Sequence, residues 1–161
     1  MPRDHVVLVS AYLEYNIPTM LHVKRLNHIL VKEKRTLIGA DTNGHSKLWH
    51  SLSRNRRCRI TEELIDRHGL QVHNLPGQMN TFCRSDGRTS NIDATLSTAD
   101  IEPLVRGWQV KDLTDSDHRV ITLAILLGDH EAPLTFKQRR GIIPNQLIRR
   151  CSPRRDRQHL R

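Results

Sequence analysis

A layered domain of the α/β (α+β) class is what the sequence predicts, and three observations carry the prediction. Short β-branched apolar runs recur along the first 127 residues, apolar residues at helical spacing fill two of the stretches between them, and turn residues separate the segments. The chain has 161 residues, of which 37% are hydrophobic, a length that fits one domain.

Residues 5–12 (HVVLVSAY) form a nearly unbroken apolar run, the pattern of a strand buried on both faces. Pro18 suits the first turn of a helix, and Met20, Val23, Leu26, Ile29 and Leu30 follow in one stripe, with Lys24, Lys32, Glu33 and Lys34 largely off it. Such a helix covers a sheet. Residues 36–40 read as a second buried strand that runs directly into Asp41, Thr42, Asn43 and Gly44, and strand ends of this kind are where α/β sheets place chemistry. Ile60, Leu64 and Ile65 mark a short amphipathic helix that Gly69 can close in a left-handed cap. Residues 70–72 resume an extended chain. In residues 90–97, Ile92, Ala94 and Leu96 point one way and Asn91, Asp93 and Thr95 the other, which sets Asp93 on a polar strand face. Residues 107–110 and 120–127 predict two further strands, with an acidic loop (Asp112, Asp115, Asp117) between them.

Charge and cysteine content narrow the function classes. The formal charge is +9, yet residues 130–161 hold nine basic and two acidic side chains, a net of +7, which leaves the body close to balance. That terminal stretch reads as a flexible basic appendage. No apolar run approaches the roughly 18 to 20 residues of a membrane span, and the N-terminus lacks a signal peptide's pattern, so a soluble intracellular chain is expected. Cys58, Cys83 and Cys151 are odd in number and widely spaced, which argues against both a disulfide framework and a paired zinc site.

Four clusters put a carboxylate, amide, phenol or imidazole at a strand end or on a polar face: Tyr12, the pair Asp41 and Asn43, Asp93, and the triplet Ser116, Asp117, His118. Each has a plain structural explanation by itself. Asp-x-Asn after a strand is commonly an Asx turn, Asp93 a solvated strand residue, Ser-Asp-His a capped loop, and Tyr12 a core aromatic. Together they suit phosphodiester cleavage. That reaction needs a metal ion or cationic donors against the phosphate, a base for water, and groups that stabilise developing charge. Acidic and amide oxygens suit Mg²⁺, and a carboxylate behind an imidazole fixes its tautomer, a joint role for Asp93 and His118.

Residues 37–51 (LIGADTNGHSKLWHS), 91–97 (NIDATLS), 108–112 (WQVKD) and 116–119 (SDHR) resemble, in order, the endonuclease/exonuclease/phosphatase superfamily, and within it the apurinic-type endonuclease domain of non-LTR retrotransposons. Thr81, Phe82 and the strand ending at Tyr12 fall in the expected places. The resemblance covers residues 5–127 as the C-terminal half of such a domain and leaves 128–161 as the basic tail. It implies part of a four-layered α/β sandwich with two β-sheets flanked by helices. It also implies metal-assisted nicking of one DNA strand with Mg²⁺ (or Mn²⁺), in an element whose C-terminal reverse transcriptase would use the nick as a primer. A nuclear location would follow.

Carried onto matching positions, the family roles make Asp41 the residue that orients or deprotonates water and Asn43 a ligand of the phosphate or that water. His118 contacts a non-bridging phosphate oxygen, Asp93 orients His118, Asp117 belongs in or near the metal site, and Tyr12 contacts phosphate. The family's earlier half, with an Asn and a metal-binding Glu, has no counterpart here, and Glu14 follows Tyr12 instead of preceding it. Impaired catalysis, exposed sheet edges and marginal folding are therefore expected of the chain alone. Gly44 stands where relatives usually carry Ala, and His50 and Cys58 where they carry Gly. Wherever such a glycine has positive φ, the replacement costs on the order of a kilocalorie or more.

Other residues have simpler readings. His45 and His50 read as solvated loop histidines, and Trp49 and Trp108 as packing residues. Arg54, Arg56, Arg57 and Arg59 either contact DNA phosphates or form a solvated face. Alternative functions are an inactive nucleic-acid-binding remnant acting through charge, and a superfamily phosphodiesterase with a substrate other than DNA.

Overall fold

The computed structural model describes residues 5–113 and 115–127, so the basic tail and Cys151 lie outside the described residues. The central element is a four-stranded sheet in the order β1 (Val7–Tyr12), β2 (Thr36–Asp41), β6 (Asp93–Ser97), β3 (Gln71–Val72). β1 and β2 are parallel, joined through α1 (Thr19–Lys32), while β6 runs antiparallel to both of its neighbours. α2 (Arg56–His68) follows β2 and packs beside α1. Beyond these lie a two-residue hairpin, β4 (Phe82–Cys83) with β5 (Thr89–Ser90), and an antiparallel pair, β7 (Val105–Lys111) with β8 (Val120–Ile125).

Apolar periodicity explains the layering. Val23, Leu26 and Leu30 of α1 and Cys58, Leu64 and Ile65 of α2 meet Ile38 and Ala40 of β2 and Ala94 and Leu96 of β6 in the main core. On the opposite sheet face Leu37 packs with Ile101, Val105, Leu123 and Ile125, which brings β7 and β8 over that side. The Trp108 indole N–H donates to Thr95 Oγ1 at 2.9 Å across this second interface. Helices, a four-stranded sheet and a two-stranded sheet thus make three layers, a mixed α/β arrangement in line with the expected class. No helix among the described residues is long and apolar enough to cross a membrane.

Several elements depart from the sequence reading. β1 is an edge strand and alternates in exposure, with Leu8 50% and Tyr12 61% exposed, where burial on both faces was expected. An apolar run reports what a strand is able to bury, and here only the helix side is covered. The buried stripe of α1 is Thr19, His22, Val23, Leu26 and Leu30, so Met20 faces outward while the short polar Thr19 and His22 take inner places. Pro18 precedes the helix as its cap instead of lying in the first turn. Gly69 caps α2 as expected, at φ 59°, its N–H donating to the Asp66 carbonyl and the Leu70 N–H to the Ile65 carbonyl, the double bond of a Schellman end.

Candidate functional site

Register assembles the site. Tyr12 pairs with Asp41 across β1 and β2, and Asp41 pairs with Asp93 across β2 and β6, so one row at one end of the sheet carries all three. Paired residues of adjacent strands project from the same sheet face, and this face looks toward β8. Between them lies a groove of about 430 Å³ lined by Tyr12, Gly39, Asp41, Asp93, Ile121 and Leu123.

His118 reaches this row from the loop before β8. That loop is stitched to the residues around β4 on both sides: the Cys83 N–H donates to the Asp117 carbonyl and the Arg119 N–H to the Thr81 carbonyl. The Phe82 ring meets the imidazole edge-on, with centroids 5.0 Å apart. Thr81, itself buried, accepts at Oγ1 from the backbone N–H groups of Ile92 and Asp93. Asn74, also buried, donates to the Asp93 carbonyl and accepts from the Thr95 N–H. Imidazole and carboxylate are therefore set by one connected scaffold.

The His118 Nδ1–H donates to both carboxylate oxygens of Asp93 at 3.1 Å, while Nε2 lies 3.7 Å from Asp41 Oδ2. The bond to Asp93 raises the His118 pKa above its ordinary value, with burial opposing and the charges of Asp93, Asp41 and Asp117 adding to the rise. Burial raises the Asp41 carboxyl, opposed mainly by the Asn43 N–H that bonds to it. The arrangement can hold a cationic imidazole beside a carboxylate of increased basicity.

Asn43 sits at φ 47°, its N–H donating to Asp41 Oδ1 at 3.0 Å and its carboxamide donating to the Leu13 carbonyl at 3.3 Å. The Asx turn that would explain the motif by itself is thus present, and it also fixes the Asp41 carboxylate. Asp41, Asp93 and His118 are brought together, with ligand atoms within 4.8 Å of one another. Tyr12 and Asn43 flank them. Asp117 lies outside this cluster; its carboxylate accepts from the Ser116 hydroxyl.

The loop after β2 is held from within. The Trp49 indole N–H donates to the Gly44 carbonyl, the ring is fully buried, and Thr42 Oγ1 donates to the Ile92 carbonyl at 2.6 Å. His45, partly buried, bonds to Ser51 Oγ, while His50 stays exposed as expected of a loop histidine and its Nε2 bonds to the Asn74 carbonyl. His50 is at φ 60°, where a side chain carries strain that a glycine would not, whereas Cys58 lies in the first turn of α2 and carries none. A Cβ on Gly44 would meet Thr42 Oγ1 at 3.2 Å and the Cys58 backbone N at 3.3 Å, so this loop and the start of α2 pack closely. Cys58 and Cys83 are free thiols.

Asn74 carries no periodic or motif signal in the sequence, and Thr81 stands in a Thr-Phe pair that does not disclose its bonding role.

Comparison with known proteins accords with this geometry. A family model described as endonuclease-reverse transcriptase matches residues 6–122. Among solved structures, the endonuclease domain of TRAS1, a telomere-specific non-LTR retrotransposon, is similar with a TM-score of 0.66 and 27% identity over 71% of this chain. The match covers 54% of that domain, so this chain spans about half its length. No curated protein matches. With the fold shared and most of the described residues inside the family match, the chain belongs to the endonuclease-reverse transcriptase family.

Proposed function

We propose that this chain carries one half of a metal-dependent endonuclease site that nicks one strand of DNA, as part of a retrotransposon whose reverse transcriptase uses the nick. The observation that supports it most is the meeting of Asp41, Asp93 and His118 at one sheet end from three separate segments. In this reading Asp41, with its raised pKa, orients a water and takes its proton. His118, whose cationic form the bond to Asp93 favours, donates from Nε2 to a non-bridging phosphate oxygen and stabilises the pentacovalent state. Tyr12 and Asn43 contact the phosphate from either side of Asp41.

The donor set fits a hard divalent ion. Two partly buried carboxylates, Asp41 and Asp93, line an open groove, and with His118 Nδ1 bonded to Asp93 and Nε2 assigned to the phosphate in this reading, carboxylate oxygens and water are the ligands offered, the preference of Mg²⁺ or Mn²⁺. We assign Asp117 to that site from the neighbouring loop, with a Glu from the half of the domain to which this chain has no counterpart. A bound ion there supplies charge neutralisation at the phosphate. Residues 5–127 then correspond to the C-terminal half of the domain. The open face of β1, with Leu8 and Tyr12 exposed, is consistent with a covering half.

The test is nicking of supercoiled plasmid by the full chain with Mg²⁺, with and without chelator. Asp41→Ala combined with His118→Ala is expected to lower the rate at least about 100-fold, the scale of losing an acid–base pair. Robust nicking by that double variant overturns the site. A charge-driven binding remnant is favoured by the net +7 of residues 130–161. It predicts no nicking by the wild-type chain, together with DNA affinity that falls steeply with salt and is lost on deleting those residues.

A further inference from the structure

Four arginines lie at or near the start of α2, and one of them behaves unlike the others. Arg54 pairs with Glu62, whereas the Arg57 side chain turns inward toward the connection between β1 and α1. Its Nη1 donates to the Tyr15 carbonyl at 2.9 Å, and its Nη2 donates to the carbonyls of Leu13 at 2.7 Å and Glu14 at 3.0 Å. The guanidinium carbon lies 5.4 Å from the centre of the Tyr15 ring. Three consecutive carbonyls that neither a strand nor a helix pairs thus converge on one guanidinium.

The carbonyl of Leu13 connects this clamp to the proposed site. It accepts from the Asn43 carboxamide as well as from Arg57, and the Leu13 N–H donates to the Asp41 carbonyl at 2.8 Å. The Leu13 side chain is fully buried, so the peptide is fixed on three sides. Tyr12 immediately precedes it, and Asp41 and Asn43 both touch it. A shift in this connection moves the phenol, the carboxamide and the end of β2 together.

We propose that Arg57 is a positioning residue for phosphodiester cleavage: it locks the β1–α1 connection and, through the Leu13 carbonyl, sets the Asn43 carboxamide and Tyr12 at the mouth of the groove. This rests on the endonuclease reading. It separates Arg57 from the phosphate-contacting arginine that the sequence left open, since both terminal nitrogens already donate to main-chain carbonyls, Nη2 to two of them. A lysine cannot replace it, because a single ammonium lacks the planar fork that reaches carbonyls on two sides.

The experiment compares the full chain with Arg57→Met, which keeps the apolar stem, and Arg57→Lys, which keeps the charge. Amide exchange at residues 13–17, the side-chain NMR signals of Asn43, the thermal melt, and the salt dependence of DNA binding are measured beside plasmid nicking. In both variants exchange at 13–17 is expected to quicken about tenfold or more and the Asn43 carboxamide signals to move, with the cooperative melt retained. Nicking is expected to fall roughly 10- to 100-fold in rate, the scale of a small misplacement of reacting groups, with the salt slope unchanged. Wild-type exchange and Asn43 signals in either variant overturn the proposal. So does a salt slope reduced by about one phosphate, which marks a direct DNA contact, or loss of the cooperative melt in both variants, which marks a residue of the fold at large. A wild-type chain that fails to nick counts against the endonuclease reading alone, because exchange and the Asn43 signals still decide the clamp.

Discussion

At the scale of single residues, the site depends on buried polar side chains that never face substrate. Thr81 is 1% exposed and satisfies two adjacent backbone N–H groups, those of Ile92 and Asp93, at the point where the chain enters β6. Thr81→Val keeps the shape and removes the acceptor, leaving donors buried without a partner. A loss of about 1–3 kcal/mol in stability is expected, measured by denaturant unfolding, because an orphaned buried donor forfeits its desolvation. A change below about 0.5 kcal/mol would show that water replaces the hydroxyl. Asn74 does the same for the next stretch of β6, donating to the Asp93 carbonyl and accepting from the Thr95 N–H. These residues were hard to read because a buried Thr or Asn between apolar segments looks like any turn residue. Asp41, Asn43, Asp93 and His118 were legible because each stands at a strand end or polar face within a recognisable motif.

Among the elements, legibility followed length and covering. β2 and β6 were located within a few residues, since both are central strands whose alternation or continuity is enforced on each side. β1 was located but assigned the wrong environment: its apolar outer face, with Leu8, is open because β1 is at the sheet edge. The hairpin of β4 and β5 was unread, since two-residue strands have no period. It nevertheless holds the Phe82 ring against His118. α2 was predicted along with its end, and that end supplies a test. Gly69 at φ 59° has open space where a Cβ would go, so Gly69→Ala isolates the backbone cost. A loss of about 1 kcal/mol is expected in thermal or denaturant unfolding. An unchanged midpoint would contradict the left-handed cap.

For the whole molecule, the sheet brings together what the sequence scatters. Tyr12, Asp41 and Asp93 share a register row although up to 81 positions separate them, and His118 enters from beyond β7. Motif order could be read from the sequence, but the row could not, because it depends on β6 pairing antiparallel with β2. The exposed edge of β1 has a consequence for the chain in solution. An unpaired, apolar edge strand invites edge-to-edge association, so Leu8→Lys is expected to reduce concentration-dependent self-association in sedimentation while leaving the melt unchanged. Equal association by both proteins would place the contact elsewhere. The central claim is that this topology sets the His118 imidazole between two carboxylates that raise its pKa, and the ring signals of His118 followed by NMR across pH test it most directly. The pKa is expected above 6.5 in the wild-type chain and lower in Asp93→Asn, because the bond to Asp93 is the largest cause of the rise. The accompanying stability is present in full below pH 6.5 and lost as pH rises through the raised value. A His118 pKa at or below 6.5, unmoved by Asp93→Asn, would contradict the account.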